Sequence, residues 1–144
     1  MLAARRAKIY RFCLGDQMKI AVLIARILMG LIFVVFGLNG FLKFIPMGPM
    51  PTGLAGQFLL VFFQSHWVLF VSAVQLVGGL LLLVNRFVPL ALALLGPVIV
   101  NIILYHLLLN PAAAQLAVVV TILWIFLFYR YRQYFSGIFV QKAL

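Results

Sequence analysis

The sequence predicts an all-α, polytopic membrane protein, and its composition and the length of its apolar runs lead to that class. The chain has 144 residues, of which 67% are hydrophobic and 8% are charged, and its mean hydropathy is +1.27. Soluble domains are about 45–50% apolar and about one quarter charged. The apolar residues also form runs of about 20 residues, the length that an α-helix needs to cross the hydrocarbon core. We therefore expect four transmembrane helices in an antiparallel bundle, within a single domain.

The first predicted span covers residues 20–41 and follows a basic segment, residues 1–19, that we expect at the cytoplasmic surface. A signal peptide would have a shorter apolar stretch and a small-residue cleavage site, so we expect this span to be retained. Prolines and glycines are dense in residues 43–57, which disfavours a regular helix and predicts an outer loop. This loop leads into a short interfacial helix near residues 54–64.

Three further spans are predicted at residues 67–84, 88–109 and 112–128. The apolar residues 58–63 offer an alternative in which the second span extends backwards. The third and fourth spans are broken only at Asn110 and Pro111, which fit an N-cap and a first helical residue. These two helices should therefore form a tight hairpin, and residues 129–144 should form a cytoplasmic tail.

The basic residues predict how the spans are oriented. The chain has eleven lysines and arginines against one acidic residue, Asp16, and all of them except Arg26 flank the spans, most of them as expected for cytoplasmic loops. With both termini in the cytoplasm, only Lys43 falls on the outer side. The inner side then holds Arg5, Arg6, Lys8, Arg11, Lys19, Arg86, Arg130, Arg132 and Lys142. This placement accounts for the positive charge without nucleic acid, which we do not expect as a partner.

Arg26 is the most conspicuous polar residue within a span. An arginine at the centre of a helix costs about 2.5–3.5 kcal/mol on insertion scales, so its presence suggests a function. Arg26 shares a helical stripe with Gly30, Phe33, Gly37 and Gly40, and glycine stripes pack against neighbouring helices. The stripe favours an inward Arg26 that contacts freed carbonyls or an anionic or quinone-like ligand. The alternative is a side chain that snorkels back to the inner headgroups.

Further polar residues lie within or at the ends of the spans. Gln75 is at the middle of the second span, and Asn101 follows Pro97, which should kink the third. The predicted ligand-binding residues are Arg26, Asn39, Lys43, Gln75, Asn101 and His106. A small polar pocket beneath the outer loop is expected from the shared depth of Asn39, Lys43, His66, Asn101, His106, Asn110 and Gln115. The alternative is that these residues only form hydrogen bonds between helices.

Several kinds of chemistry do not fit the sequence. No span contains Asp or Glu, so a carboxylate proton relay is absent. The two histidines and the single cysteine, Cys13, are too few and too scattered for a zinc site, and one cysteine cannot form an intrachain disulfide. His66 and His106 as axial haem ligands are a remote alternative. We therefore expect no catalytic residue, no metal and no intrinsic cofactor.

Four segments together resemble the DoxX family of small membrane proteins. They are residues 25–43, with ARILMGLIF followed by Phe36, Gly37 and Lys43; QLVGGLLL at 75–82; NRFVPLA at 85–91; and residues 97–106, from Pro97 to His106. The resemblance implies a four-helix protein of the bacterial inner membrane. Relatives include a subunit of a thiosulfate:quinone oxidoreductase and members linked to redox-stress complexes. Gln75 stands where many members have a glutamate, which argues against a proton-coupled role.

The resemblance and the polar residues lead to three functional hypotheses. The first is an accessory subunit that binds a quinone or similar amphiphile for a partner oxidoreductase. In it, Arg26, Gln75 and Asn101 bind the polar head, and the ring is flanked by Phe33, Phe36 and Tyr105. The second is a non-catalytic membrane scaffold or assembly factor without a ligand. The third is a small-solute transporter, which the lack of repeat symmetry disfavours. The glycine faces would also suit a homo-oligomer.

Overall fold

The computed structural model describes residues 2–46 and 48–139, and the side chains of residues 15–46 and 48–138. The helices are α1 (Leu2–Leu42), α2 (Gly53–Gln64), α3 (Trp67–Leu83), α4 (Val88–Leu108) and α5 (Gln115–Tyr131). Short 3-10 segments cover Pro111–Ala113 and Arg132–Phe139. Within these residues there is no strand, which confirms the all-α class. The basic side chains before Gly15, and Lys142, lie outside the described part.

Several of these helices are suited to a membrane. Three segments are each long and apolar enough to cross it: Gly15–Leu42, Val88–Leu108 and Gln115–Ile138. α2 and α3 meet the same length and hydropathy criteria only when taken together, and the two helices are bent by 80° relative to each other. Large aliphatic side chains remain exposed on the helix surfaces, among them Ile24, Val100 and Ile122 at 52%, 53% and 61%. Such surfaces suit lipid rather than water. The chain is thus a multi-pass membrane protein with three or four candidate spans.

The helix boundaries differ most from the predicted ones at the starts of α1 and α5. α1 begins at Leu2 instead of residue 20, since the basic segment continues the same helix. α2 is separate from α3, as predicted, and the alternative of a backward extension is not observed, because His66 between them adopts a left-handed backbone with φ of 60°. α5 begins at Gln115 instead of residue 112, because Pro111 opens a tighter 3-10 turn and Asn110 makes no side-chain capping bond.

The closest helix packing joins α1 to α3, through glycines on both helices. A Cβ atom on Gly37 would lie 2.8 Å from the backbone nitrogen of Leu76 and 2.9 Å from the carbonyl oxygen of Ser72. A Cβ atom on Gly79 would lie 2.9 Å from the carbonyl oxygen of Gly30. The two backbones therefore approach as closely as glycine permits, which is how small residues bring membrane helices together. The predicted glycine stripe of α1 lies in this contact.

The remaining contacts complete a ring of four long helices. α5 packs against α1, and α4 packs against both α3 and α5. The neighbouring glycines of α3 serve two partners, since Gly79 faces α1 while Gly78 faces Leu95 of α4. The largest fully buried side chains lie inside this ring and are Met29, Phe33, Leu82, Leu92, Leu95 and Leu127.

Aromatic contacts hold α4, α5 and the C-terminal 3-10 segment together. The indole Nε1 of Trp124 donates a hydrogen bond to the carbonyl oxygen of Leu92, at 2.9 Å. The Trp124 ring stacks on Phe128 with centroids 4.9 Å apart, and Phe128 contacts Phe135 at 4.8 Å. Phe135 is buried, so the chain after α5 folds back onto the helices instead of leaving them.

Candidate functional site

Arg26 faces the interior between the helices and is 7% exposed. Its Nη1 donates a hydrogen bond to the carbonyl oxygen of Leu82, at 3.0 Å, in the last turn of α3. The last carbonyls of a helix lack partners within the helix and form the negative end of its dipole. The guanidinium therefore supplies a donor and a positive charge where α3 ends. Of the two predicted orientations, the inward one is observed, and its contact is a helix-end carbonyl that also accepts a longer hydrogen bond, of 3.3 Å, from the N–H of Asn85.

Gln75 lies two turns before Leu82, the contact of Arg26, on α3. The rise of 1.5 Å per residue separates Gln75 and Leu82 by about 10 Å along the helix. Its side chain is half-buried and, among the described residues, makes no hydrogen bond. One turn later, Gly78 packs against α4 and Gly79 packs against α1. Gln75 and Arg26 are therefore at different depths, and the structure does not join them in one hydrogen-bonded group.

Asn39 and Lys43 close the outer end of α1. The Asn39 Oδ1 accepts a hydrogen bond of 2.7 Å from the backbone N–H of Ile45, and the Asn39 carbonyl accepts one of 2.8 Å from the N–H of Lys43. Lys43 has a left-handed backbone with φ of 52°, as is common just after a helix. Its side chain is exposed. These two residues shape the turn into the Pro/Gly loop, and the Asn39 carbonyl oxygens are already engaged there.

Asn101 lies on the outer surface of the ring, on the exposed face of α4. Its Nδ2 donates a hydrogen bond of 2.9 Å to the carbonyl of Pro97, one turn earlier, and Pro97 is exposed as well. The amide oxygen and the second N–H of Asn101 have no hydrogen-bond partner within the described chain. Asn101 is thus separated from Arg26, which is buried inside the ring.

His106 borders a shallow groove of about 180 Å³ between α4 and α5. The groove has an apolar wall and is lined by Ile103, His106, Leu107, Ala114, Ala117, Val118, Thr121 and Ile122. The His106 Nδ1 is 3.1 Å from the carbonyl oxygen of Asn110. Because a carbonyl oxygen only accepts, this contact assigns the proton of a neutral ring to Nδ1 and leaves Nε2 as an acceptor.

Tyr105 has a buried hydroxyl for which the described chain provides no hydrogen-bond partner. Its ring packs against Phe58 of α2, with centroids 5.5 Å apart, and edge-on against His106 at 5.2 Å. Of the other predicted ring-flanking residues, Phe33 is buried in the core and Phe36 is 40% exposed. The three aromatic residues therefore occupy separate surroundings. The contact of Tyr105 with α2 was not predicted, since it joins helices far apart in sequence.

The remaining polar residues of the predicted outer pocket are dispersed. His66 is exposed in the bend between α2 and α3, and Gln115 is exposed at the start of α5. The described residues contain no group of three or more His, Cys, Asp or Glu side chains placed to hold a metal ion. Comparison of the chain with protein-family models, with curated proteins and with solved structures finds no match.

Proposed function

We propose that this chain is a DoxX-like accessory subunit of a bacterial cytoplasmic-membrane complex, non-catalytic by itself, that docks against a transmembrane helix of a partner. In this proposal the four long helices form an antiparallel bundle with both termini in the cytoplasm, and the bent α2–α3 pair counts as one broken span. The basic residues flanking the helices support that orientation. The positions of the polar residues support an accessory function.

The observation that carries the proposal is the exposed amide of Asn101 on α4. Lipid offers no hydrogen-bond partner, so a polar side chain on a membrane-facing surface favours contact with another helix. Asn101 lies among exposed apolar neighbours at helical spacing, so that the surface around it forms one continuous stripe. These residues, here called the α4 outer face, are Leu90, Ala93, Pro97, Val100, Asn101 and Leu104.

Site-specific crosslinking in native membranes tests this proposal. With Cys13→Ser as the background, Leu104→Cys on the α4 outer face, where Leu104 is 46% exposed, would carry a benzophenone group, and the products would be identified by mass spectrometry. We expect one dominant protein adduct with another membrane subunit, whereas an adduct with a second copy alone would indicate a homo-oligomer instead of an accessory subunit. Leu28→Cys is the matched control, since Leu28 is 48% exposed on α1, which has no extensive contact with α4 in the ring. Equal crosslinking from both positions, or lipid adducts alone, would contradict the proposal.

Substitution of the amide tests the same face without a probe. Interhelical hydrogen bonds of this kind contribute about 0.6 kcal/mol on average and at most about 1.7 kcal/mol. Asn101→Leu should therefore weaken the association by about three- to twentyfold. Because Asn101 is exposed and bonded only to its own helix, the monomer should keep its thermal stability. Loss of stability without loss of association would assign Asn101 an internal role.

A second candidate function is binding of a quinol or similar amphiphile, which the groove beside His106 favours. The apolar wall of this groove suits a ring or an isoprenoid chain. In this arrangement the ligand would lie beside His106 at the edge of the groove, while the redox chemistry would belong to a partner. Binding of one head group by Arg26, Gln75 and Asn101 together stays a prediction. These three residues are separated in the fold, which does not support such a shared site.

Extraction of the purified protein tests the second candidate. The protein would be isolated in mild detergent, extracted with solvent and examined by mass spectrometry for quinones. A stoichiometric quinone that is retained in Asn101→Leu and lost in His106→Phe would support binding in the groove. A preparation that contains phospholipid but no quinone would leave the accessory-subunit proposal as the better account.

A further inference from the structure

Another groove lies at the opposite end of the ring from the outer loop, where α1 and α5 meet. It has a volume of about 270 Å³ and is lined by Lys19, Val22, Arg130, Tyr131, Gln133 and Tyr134. Unlike the groove beside His106, it combines two cations with an amide and two phenol groups. Within one concave surface it thus offers donors of three kinds, with Val22 as an apolar wall.

The charges around this groove are not balanced by the protein. Asp16 is the single acidic residue of the chain, and its Oδ1 lies 3.1 Å from the Nζ of Lys19. This is the one ion pair found among the described residues, so Arg130 has no carboxylate side chain within reach. Arg132 is engaged elsewhere, with its guanidinium 4.1 Å from the centre of the Tyr129 ring. Arg130 and Lys19 therefore present a net positive charge to whatever occupies the groove.

We propose that this groove binds the phosphodiester headgroup of an anionic phospholipid, with Arg130 and Lys19 as the anion contacts. Arginine donates two parallel N–H bonds to phosphate, and basic pockets between membrane helices on the cytoplasmic side are suited to such headgroups. The two tyrosines, whose ring centroids are 6.1 Å apart, supply hydroxyl donors at headgroup depth. This inference rests on the membrane orientation given under the proposed function.

A lipid fits the site better than free phosphate because of the surfaces that adjoin it. Val22 forms part of the wall, and the next residues of α1 towards the membrane include Leu23 and Ile27, which are 45% and 38% exposed. These side chains offer an apolar surface on which an acyl chain can lie while its headgroup is held in the groove. Inorganic phosphate would gain nothing from this surface.

Native mass spectrometry of the full-length protein in mild detergent tests the proposal, with phosphatidylglycerol and phosphatidylcholine as the probes. We expect phosphatidylglycerol adducts to exceed phosphatidylcholine adducts in the wild type. Arg130→Gln and Lys19→Gln should each lower the affinity for phosphatidylglycerol about fivefold. Asp16→Asn should raise it by a similar factor, because Lys19 then loses its competing carboxylate. The matched control is Arg86→Gln, since Arg86 is also exposed and basic but lies in the turn between α3 and α4.

The outcomes separate the candidate ligands from one another and from the proposed function. Equal binding of the two lipids, or an equal loss in Arg86→Gln, would overturn the groove as a specific site. Displacement of phosphatidylglycerol by millimolar inorganic phosphate would identify a free anion as the ligand and overturn the lipid. Membrane insertion and crosslinking from the α4 outer face are measured separately, so a failure of the accessory-subunit proposal would be seen independently of lipid binding.

Discussion

Arg26 and Leu82 are joined by a hydrogen bond of 3.0 Å that connects the buried arginine of α1 to the last turn of α3. A charge inside a membrane protein is tolerated where a partner of opposite polarity is fixed beside it. Here that partner is the end of a helix instead of a carboxylate. The arrangement accounts for an arginine within an apolar span of a chain that has no acid in any span.

Arg26→Ala should lower the stability of the protein, because the carbonyl of Leu82 would lose a charged donor. Hydrogen bonds to charged groups contribute about 1.5–3 kcal/mol, and we expect a loss in that range in detergent unfolding experiments. Arg86→Ala, at an exposed arginine, should change stability by no more than about 0.5 kcal/mol. If both variants unfold at the same denaturant concentration as the wild type, the contact does not stabilise the fold.

Gly37→Ala should destabilise the protein by forcing α1 away from α3. The added methyl group would lie within 3 Å of two backbone atoms of α3, which cannot rotate aside. Overpacking of this kind costs about 1–3 kcal/mol. Gly15→Ala is the control, since no atom lies within 4 Å of its added Cβ, and alanine there should stabilise the helix by up to about 1 kcal/mol. Thermal unfolding of both variants measures the difference, and a stable Gly37→Ala would rule out the close packing.

Trp124→Phe should cost about 0.5–1.5 kcal/mol through the lost hydrogen bond to Leu92, beyond any loss of packing. The aromatic stack on Phe128 can be kept by phenylalanine, which makes the substitution a test of the indole N–H. Trp67→Phe is the comparison, because Trp67 is 60% exposed. Chemical unfolding followed by circular dichroism gives both values, and equal effects would argue against a role for the bond.

Tyr105→Phe should leave the protein as stable as the wild type, or make it more stable by about 1–3 kcal/mol. A buried hydroxyl without a partner incurs a desolvation penalty, and its removal relieves that penalty while the ring keeps its contact with Phe58. Thermal unfolding in detergent measures the change. Tyr105→Ala provides the contrast, because it removes the ring as well and should be destabilising. A marked loss of stability in Tyr105→Phe would show that the hydroxyl is hydrogen-bonded.

Labelling of single cysteines should reveal the orientation of the chain. In a Cys13→Ser background, Thr52→Cys lies in the loop before α2 and Ser136→Cys lies after α5, and both positions are exposed. A membrane-impermeant maleimide applied to intact spheroplasts should label the first position only. After permeabilisation both should react. Labelling of Ser136→Cys in intact spheroplasts would reverse the orientation derived from the basic residues.

The sequence was sufficient to predict those features that depend on spacing within one helix. The shared stripe of Arg26, Gly30 and Gly37 predicted which face of α1 is buried, because residues three and four apart lie on the same side of a helix. The short helix before α3 was predicted from prolines and glycines that prevent helix formation earlier in the loop. Both predictions needed only local geometry.

The position of Asn101 could not be predicted in this way. α4 is apolar on all sides, so its sequence has no polar stripe to indicate which face meets lipid. The bend between α2 and α3 depends on a left-handed His66, a conformation that sequence rarely predicts outside glycine and asparagine. The contacts of Trp124 and Tyr105 join distant parts of the chain, and they become visible only when the helices are packed.

The length of α1 has a mechanical consequence. At 1.5 Å per residue its 41 residues measure about 60 Å, roughly twice the thickness of the hydrocarbon core. In the proposed orientation the N-terminal third of α1 lies outside the hydrocarbon core. It belongs to the same helix as the glycines that contact α3. Because α1 is one uninterrupted helix from Leu2 to Leu42, a tilt of its basic end would be carried along the same helix towards the backbone contacts with α3. A molecule that binds the first turns of α1 would thus contact the same helix that packs against α3 inside the membrane.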